Sequence, residues 1–166
     1  DGADPQGRIL VMKAEEHSAL NALVGPSSLV DATAELRERA ARHAHQSKPV
    51  EEPRLDRRLH LGVMELELPG TRGELGLLPP SLARPTAHVR LLCGGRFVRR
   101  LDLSGVAPCS FAAVVDDPTL PLIDSPASSA RAAHLGAHCV AAAERVLDSL
   151  VAELGAERPD PRVRAC

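Results

Sequence analysis

The pair Gly94-Gly95 lies between two short apolar-rich runs, His88 to Cys93 and Arg96 to Leu103. A two-residue type I′ turn requires positive φ at both central residues, and glycine adopts positive φ without steric cost. We therefore predict an antiparallel hairpin over residues 88–103, with its turn at the two glycines. This hairpin is the strongest local signal in the sequence, and the rest of the fold is expected to be arranged around it.

Neighbouring segments show the two-residue alternation of half-buried strands. Residues 59–68 alternate apolar residues with glutamate, and the inward positions are Met64, Leu66 and Leu68. Residues 73–78 repeat this pattern with Leu75 and Leu77 inward, and residues 109–115 form a further candidate strand. Together with the hairpin, these segments predict a mainly antiparallel sheet of about four to five strands.

A long helix is predicted near the end of the chain, over residues 128–154. Its apolar residues recur at spacings of three and four, at Leu135, Cys139, Ala142, Val146, Leu150 and Leu154. The proline-containing loop before it offers helix starts near Ser125 or Ser128. The predicted class is α+β, with this helix covering one face of the sheet.

Before the sheet, the pattern favours a small βα lobe. It consists of a short strand over residues 8–12, a helix over 15–24 and a second helix from Ser28 to about Gln46. Residues 47–58 (SKPVEEPRLDRR) have the composition of a linker or a long surface loop. The predicted organisation is a disordered start (1–7), the βα lobe (8–46), the linker (47–58), the sheet with its helix (59–154) and a charged tail (155–166).

Composition excludes several classes of partner. The chain has a net charge of −2, two Phe, no Trp and no Tyr. It therefore lacks both the positive field that attracts nucleic acid and the aromatic faces on which bases stack. Neither a membrane span nor a signal peptide is recognisable. The four cysteines are widely separated, which favours reduced thiols in the cytoplasm.

Two groups of residues have the chemistry of metal ligands. His134 and His138 share one helix face beside Cys139, at a spacing that suits a metal, but no further ligand is identifiable. Asp116 and Asp117, with Asp124 downstream, offer the carboxylate oxygens that Mg²⁺ prefers. Simpler interpretations are polar residues beside a buried stripe in the first case and turn chemistry in the second.

Basic residues concentrate near the hairpin at Arg84, Arg90, Arg96, Arg99 and Arg100. They could bind phosphate or an acidic partner through forked hydrogen bonds. Since successive strand residues point to opposite faces, these arginines cannot all line one surface. Neither a nucleophile elbow nor a nucleotide-binding glycine loop occurs in the sequence. We therefore expect no enzymatic activity from this segment alone.

The order of several short motifs resembles one region of a known superfamily. The motifs are GRILVMKAEEHSALNALVG, SSLVDATAELRERAARHAHQ, GELGL at 73–77, GGRFV at 94–98, AVVDD at 113–117 and the long Ala-rich helix. Their order resembles the region after the ATPase domain in large bacterial relatives of the ninety-kilodalton heat-shock chaperone. These proteins belong to the gyrase, heat-shock chaperone, histidine kinase and mismatch-repair superfamily.

The resemblance implies an ATP-driven, dimeric protein whose middle region passes the nucleotide state to clients or partners. ATP would be bound elsewhere in the full-length protein, since the ATP-binding motifs of the family are absent here, and no cofactor is expected in this segment. No Arg or Lys is assigned to a phosphate. The lack of an initiator Met also indicates a piece of a longer protein.

Three functions follow from these observations. The first is a non-catalytic coupling or client-binding module of a chaperone-like ATPase. The second is a freestanding α/β interaction or assembly domain, in which the stripe of the C-terminal helix would form an oligomer interface such as a homodimer. The third is a metal-dependent hydrolase that uses His134, His138, Asp116 and Asp117. The expected partner is therefore a protein, and neither nucleic acid nor a membrane.

Overall fold

The computed structural model describes residues 13–24, 31–79 and 85–155. The chain divides into two compact units, residues 1–37 and 38–166. Helix α1 (Ala14–Val24) belongs to the first unit, and helix α2 (Thr33–Gln46) contains the point of division. The second unit holds five strands and the long helix: β1 (Leu61–Glu65), β2 (Arg72–Leu77), β3 (Ala87–Cys93), β4 (Arg96–Asp102), β5 (Phe111–Asp116) and α3 (Pro126–Leu154).

The predicted α+β class is confirmed. The strands form one open sheet in the order β1-β2-β5-β3-β4, and every neighbouring pair is antiparallel except β3 and β5. All six residues of β5 (FAAVVD) are buried, as expected of a central strand with both faces covered. The sequence did not reveal that β5 inserts between β2 and β3, because strand order is decided by contacts between distant residues.

Strands β3 and β4 form an antiparallel hairpin with its turn at Gly94 and Gly95. Their φ angles are 59° and 74°, in the left-handed region that favours glycine. The register shifts between Leu91 and Leu92, so β4 carries an extra residue at this point. Such a bulge increases the local twist of the strand.

Replacing either glycine of this turn with valine should destabilise the protein, and Gly95→Val should have the larger effect. A β-branched residue resists positive φ, which amounts to about 1–2 kcal/mol at each position. A Cβ at Gly95 would also lie 3.0 Å from Val50 and 3.1 Å from the carbonyl oxygen of Glu51, whereas a Cβ at Gly94 meets nothing within 4 Å. Urea unfolding of both variants measures the difference. Equal stability of wild type and both variants would contradict the turn.

Helix α3 covers one face of the sheet and completes the core. Ser125 caps it, since the Ser125 hydroxyl accepts a hydrogen bond from the N–H of Ser128, and Pro126 occupies its first turn. The core joins the helix to alternate residues of the central strands, and its members include Leu75, Val89, Phe111, Leu135 and Cys139. The apolar stripe of α3 therefore packs within its own chain from Leu135 to Val146, whereas Leu154 at its end is exposed.

The opposite face of the sheet is covered by a segment without helix or strand. The N–H of Glu51 donates to the carbonyl of Gly95 at 2.6 Å, and the N–H of Leu55 donates to Glu74 Oε2 at 2.8 Å. Further along, His60 lies over Gly76. The division of the chain thus falls within α2 and not at residues 47–58, where the sequence had placed a linker, because these residues are bonded to the sheet.

Parts of the predicted βα lobe and the tail lie outside the described residues. These are the disordered start (1–7), the strand over 8–12, the helix start at Ser28 and the tail from residue 156. Helix α2 begins at Thr33, whose N–H donates to Asp31 Oδ1 at 2.9 Å. Among the helices of the described ranges, none has the length and apolar character needed to cross a membrane.

Candidate functional site

The parallel strands β3 and β5 have their carboxyl ends at the same end of the sheet. At this end the Gly94-Gly95 turn lies next to Asp116. Asp116 is buried, and its Oδ1 accepts a hydrogen bond from the N–H of Gly95 at 3.0 Å. Its other oxygen lies 4.0 Å from the guanidinium of Arg72, which is largely exposed. Asp116 therefore holds the hairpin turn against the central strand.

Asp117 is also buried, and its carboxylate is fully used by neighbouring groups. Oδ1 accepts hydrogen bonds from the N–H and the hydroxyl of Thr119, at 2.9 and 2.7 Å. Oδ2 accepts from Nε of Arg131 at 2.6 Å. Burial raises the pKa of Asp117, but the hydrogen bonds from Thr119 and Arg131 outweigh burial and leave its pKa below the ordinary value. The carboxylate ties the loop after β5 to helix α3.

Replacing Asp117 with asparagine should reduce the free energy of unfolding at pH 7 by about 2 kcal/mol, because the three hydrogen bonds to its carboxylate lose the assistance of the negative charge. A carboxyl group with a lowered folded-state pKa stabilises the protein above its unfolded pKa of about 3.9 and loses that contribution as the pH falls through the lower folded value. The difference between wild type and Asp117→Asn should therefore shrink below about pH 4. Urea unfolding at pH 7 and at acidic pH measures it.

The matched control is Asp124→Asn. Asp124 is 95% exposed and pairs with Arg99 at 3.0 Å, so its replacement should change stability by less than about 1 kcal/mol. A pH-independent difference between wild type and Asp117→Asn would contradict the assignment of an ionised Asp117.

The aspartates do not come together as a metal site. Asp116 and Asp117 bond to different protein groups, and Asp124 pairs with Arg99. In the three ranges that the structure covers, no group of three or more His, Cys, Asp or Glu residues could hold a metal ion. The carboxylates thus have the turn and loop roles of the simpler interpretation.

The two helix histidines differ in environment. His134 is exposed, whereas His138 is half-buried and its Nε2 is buried without a hydrogen-bond partner among the described residues. Burial lowers the pKa of His138, and the charges of Arg145 and His134 lower it further. Cys139 faces the core, so this helix face does not assemble the three ligands that the metal hypothesis requires.

No thiol in the described part of the chain has the character of a nucleophile. An activated cysteine has a lowered pKa, which favours the thiolate. Burial raises the pKa of Cys93, Cys109 and Cys139, in the last case to about 12. Ser110 likewise has a structural partner, since its hydroxyl accepts a hydrogen bond from the N–H of Thr86 at 3.0 Å.

The arginines of the hairpin fall on both faces of the sheet. Arg99 lies on the side of α3, where it bonds to Asp124 and Ser128. Arg90 lies on the opposite side, where it pairs with Glu51 and stacks over the ring of Phe97 at 5.8 Å. Arg96 Nε donates to the carbonyl of Lys48, and Arg84 lies outside the described residues.

Arg100 stands apart from the other described hairpin arginines. It is exposed, lies directly opposite Arg90 in the β3–β4 ladder, and forms no salt bridge within the described residues. Like charges directly opposite each other destabilise a strand pair. Since β4 is the last strand of the sheet, Arg100 also lies on an edge whose outer backbone groups have no neighbouring strand within residues 13–24, 31–79 and 85–155.

A cleft of about 430 Å³ opens at the same end of the sheet as Asp116, between the segment that crosses the sheet and the start of β2. Its lining is Glu52, Pro53, Arg54, Glu65, Leu66, Thr71, Arg72, Gly73 and Glu74. Side chains of both charge signs line it. The buried carboxylate of Glu74 is used to hold the N–H of Leu55, and Arg57 lies 3.8 Å from its other oxygen. The cleft offers no activated nucleophile and no set of metal ligands.

Several residues that organise this region were missed by sequence reasoning. His45 is buried at the end of α2, with Nε2 2.8 Å from the carbonyl oxygen of Cys93. Glu74 holds the crossing segment through the N–H of Leu55, and Arg131 holds the loop after β5 through Asp117. Each of these contacts joins residues that are 14 or more positions apart. Local sequence patterns do not indicate such contacts. Of the residues that organise this region, only Asp116 and Asp117 were candidates in the sequence.

The arrangement as a whole combines fully bonded buried carboxylates with an open, arginine-bearing strand at the sheet edge. A scan of protein-family models and searches among curated proteins and solved structures find no match to this chain.

Proposed function

We propose that this chain is a non-catalytic module that binds a protein partner or client at the β4 edge of its sheet. The observation that carries the proposal is β4. This strand pairs with β3 on one side only, and no strand of the described residues covers its other side. An uncovered edge is a template for an extended segment of another chain, and domains that bind peptides commonly use one.

The rest of the site supports binding more than catalysis. The buried carboxylates Asp116, Asp117 and Glu74 each accept hydrogen bonds that hold a loop or a turn. The described thiols have raised pKa values. A catalytic group requires a reacting atom within reach of a free acid or base, and no such arrangement occurs in the described residues.

The proposal extends to the role of the module in a larger protein. The motifs quoted above resemble the region that follows the ATPase domain in chaperone-like ATPases. In such a protein this module would pass the nucleotide state to a bound client, while another domain binds ATP. We place this activity in the bacterial cytoplasm, in keeping with the widely separated cysteines.

Fluorescence anisotropy tests the binding activity. A permanently unfolded protein, reduced and alkylated, is labelled and titrated with the chain. We expect saturable binding with a Kd on the order of 10 μM, and competition by the unlabelled unfolded protein but not by its folded form. Absence of binding at about 1 mM would overturn the proposal.

The coupling role has its own test. Adding the same unfolded protein to the full-length polypeptide that contains this chain should change its rate of ATP hydrolysis. If binding occurs and the rate is unchanged, or if the full-length protein hydrolyses no ATP, the coupling role is wrong and only the binding activity remains.

A further inference from the structure

We infer that the β4 edge binds the β4 strand of a second copy of this chain, antiparallel and about a two-fold axis at Leu101, so that Arg100 of each copy lies opposite Asp102 of the other. The inference rests on the proposed use of this edge for a protein partner and names that partner. Three features carry it: the outward backbone groups of β4, the order of charges along the strand and the leucines on its other side.

The hydrogen-bond ladder shows which backbone groups of β4 point away from β3. The N–H of Leu103 donates to the carbonyl of Ala87 at 2.8 Å, so these two residues form a hydrogen-bonded pair. In an antiparallel ladder such pairs alternate with pairs whose N–H and C=O groups point away from the partner strand. The N–H and C=O groups of Arg100 and Asp102 therefore point outward, whereas those of Leu101 point toward β3.

The outward stretch is short. The carbonyl oxygen of Phe97 accepts a hydrogen bond from Nζ of Lys48 at 2.8 Å, so the outer side of β4 is already occupied near the turn. The register of β3 and β4 shifts between the Arg99 and Phe97 pairs, and β4 ends at Asp102. A second strand is thus expected to pair along Arg100 to Asp102 and to stop before the bulge.

Few registers are possible for a symmetric pair along this stretch. Since only outward residues exchange hydrogen bonds across the new ladder, the two-fold axis can lie at Arg100, Leu101 or Asp102. An axis at Arg100 sets the two arginines opposite each other, and an axis at Asp102 does the same with the two aspartates. An axis at Leu101 sets Arg100 opposite Asp102 twice. Opposite charges directly across a strand pair are stabilising and like charges are destabilising, so the order of charges selects this register of the three.

The two charged side chains are available for this contact. Arg100 is exposed and forms no salt bridge in the part of the chain that the structure describes, while Arg90, which faces it in the β3–β4 ladder, is paired with Glu51. Asp102 is exposed, and its Oδ1 accepts a hydrogen bond from the N–H of Ser104 at 3.0 Å. The hydrogen bonds from Ser104 lower the pKa of Asp102, which favours the charged form. The second copy would thus supply the carboxylate that Arg100 lacks.

The face of β4 toward α3 adds an apolar contact on the same axis. Leu101 and Leu103 are only partly buried at the margin of the core. In the inferred register the two copies of Leu101 form a non-hydrogen-bonded pair, the kind in which side chains lie closer together. Leu103 of each copy lies diagonally across from Leu101 of the other, within reach of contact. The pairing would join the two five-stranded sheets into one continuous sheet and bury this row of leucines.

Sedimentation velocity of the chain between about 10 μM and 1 mM tests the inference. We expect a reversible dimer with a Kd on the order of 100 μM, because so short a strand pair buries less surface than a standard interface. Arg100→Glu and Asp102→Lys should each weaken the dimer at least about tenfold, since each sets like charges opposite each other at two places. Thermal melting checks that each variant is folded.

Mixing the two variants tests the register. In a mixed dimer the glutamate introduced at position 100 lies opposite the lysine introduced at position 102, and the unchanged Arg100 and Asp102 face each other. The equimolar mixture should therefore dimerise with about the affinity of wild type, although neither variant does so by itself. Arg145→Glu, an equal change of charge at an exposed position of α3, is the matched control and should dimerise like wild type.

A disulfide locates the axis independently of the charge variants. The Cα atoms of a non-hydrogen-bonded pair are about 4.5 Å apart, within the range that a disulfide spans. Leu101→Cys should therefore form a covalent dimer in oxidised glutathione, beyond any cross-linking of wild type through its own cysteines. Leu103→Cys is the control, because its two thiols would lie about 14 Å apart and should not cross-link.

The outcomes separate the inference from the proposed function. A chain that stays monomeric at about 1 mM, or a mixture of the charge variants that stays monomeric, overturns the second copy as partner, while binding of unfolded protein would still support the function. Equal cross-linking of Leu101→Cys and Leu103→Cys also overturns it, and this comparison decides the question if a charge variant fails to fold. A dimer with the expected pattern of variants that binds no unfolded protein supports the inference and removes the client from the proposed function.

Discussion

Gly73→Ala should be among the most destabilising single substitutions in this chain, with a loss of about 3 kcal/mol or more in the free energy of unfolding. A Cβ at Gly73 would lie 2.3 Å from the carbonyl oxygen of Val114 and 3.1 Å from the Cα of Val115. Both atoms are backbone of β5, the central strand, which is held by ladders on both sides. The clash therefore cannot be relieved by rotating a side chain.

Gly105→Ala is the matched control for this substitution. A Cβ at Gly105 would meet nothing within 4 Å, and its φ is not positive. Removing the flexibility of glycine from the unfolded chain should make this variant neutral or slightly stabilising, by up to about 1 kcal/mol. Urea unfolding at pH 7 compares the two variants. Similar stabilities would show that β2 and β5 do not approach each other as closely as the structure indicates.

The second large effect is expected at Phe111, and Phe97, the other phenylalanine of the chain, serves as the comparison. Phe111 is fully buried at the start of β5 and belongs to the core under α3. Phe111→Ala should reduce the free energy of unfolding by about 3–5 kcal/mol, because the lost burial is combined with a cavity. Phe97 lies on β4 and is only partly buried, with Arg90 stacked on its ring.

Phe97→Ala should therefore lower stability by only about 1 kcal/mol. Chemical denaturation of both variants gives the comparison, and retained α+β circular dichroism shows that each variant folds. If Phe97→Ala were the more damaging of the two, the assignment of β5 to the centre and β4 to the edge would have to be reversed.

These substitutions also show which parts of the fold could be read from the sequence. The turn at Gly94-Gly95 was predictable because positive φ has a direct residue signature. The stripe from Leu135 to Val146 was predictable because helix periodicity is local. The α+β class follows from these two signals and the alternation around Met64, without any knowledge of which strands are neighbours.

Other parts depend on contacts that no local pattern encodes. The burial of Asp116 and Asp117 could not be foreseen, because their partners Gly95 and Arg131 are 21 and 14 positions away. Turn chemistry predicted hydrogen bonds to the nearby backbone, and Asp117 makes one with the N–H of Thr119. The open edge at β4 was equally hidden, since it arises only because β5 inserts on the inner side of β3. The candidate site therefore depends on the order of the strands in the sheet, which the sequence motifs do not indicate.

The segment that crosses the second sheet face has a consequence for the smallest part of this chain able to fold by itself. Residues 47–60 contain no helix or strand, yet they lie over the face that carries Leu92 and Val114. A polypeptide beginning at residue 59 would leave those side chains open to water and is expected to aggregate. The smallest part able to fold by itself is therefore expected to begin inside α2, where Nε2 of His45 lies 2.8 Å from the carbonyl oxygen of Cys93 in the hairpin.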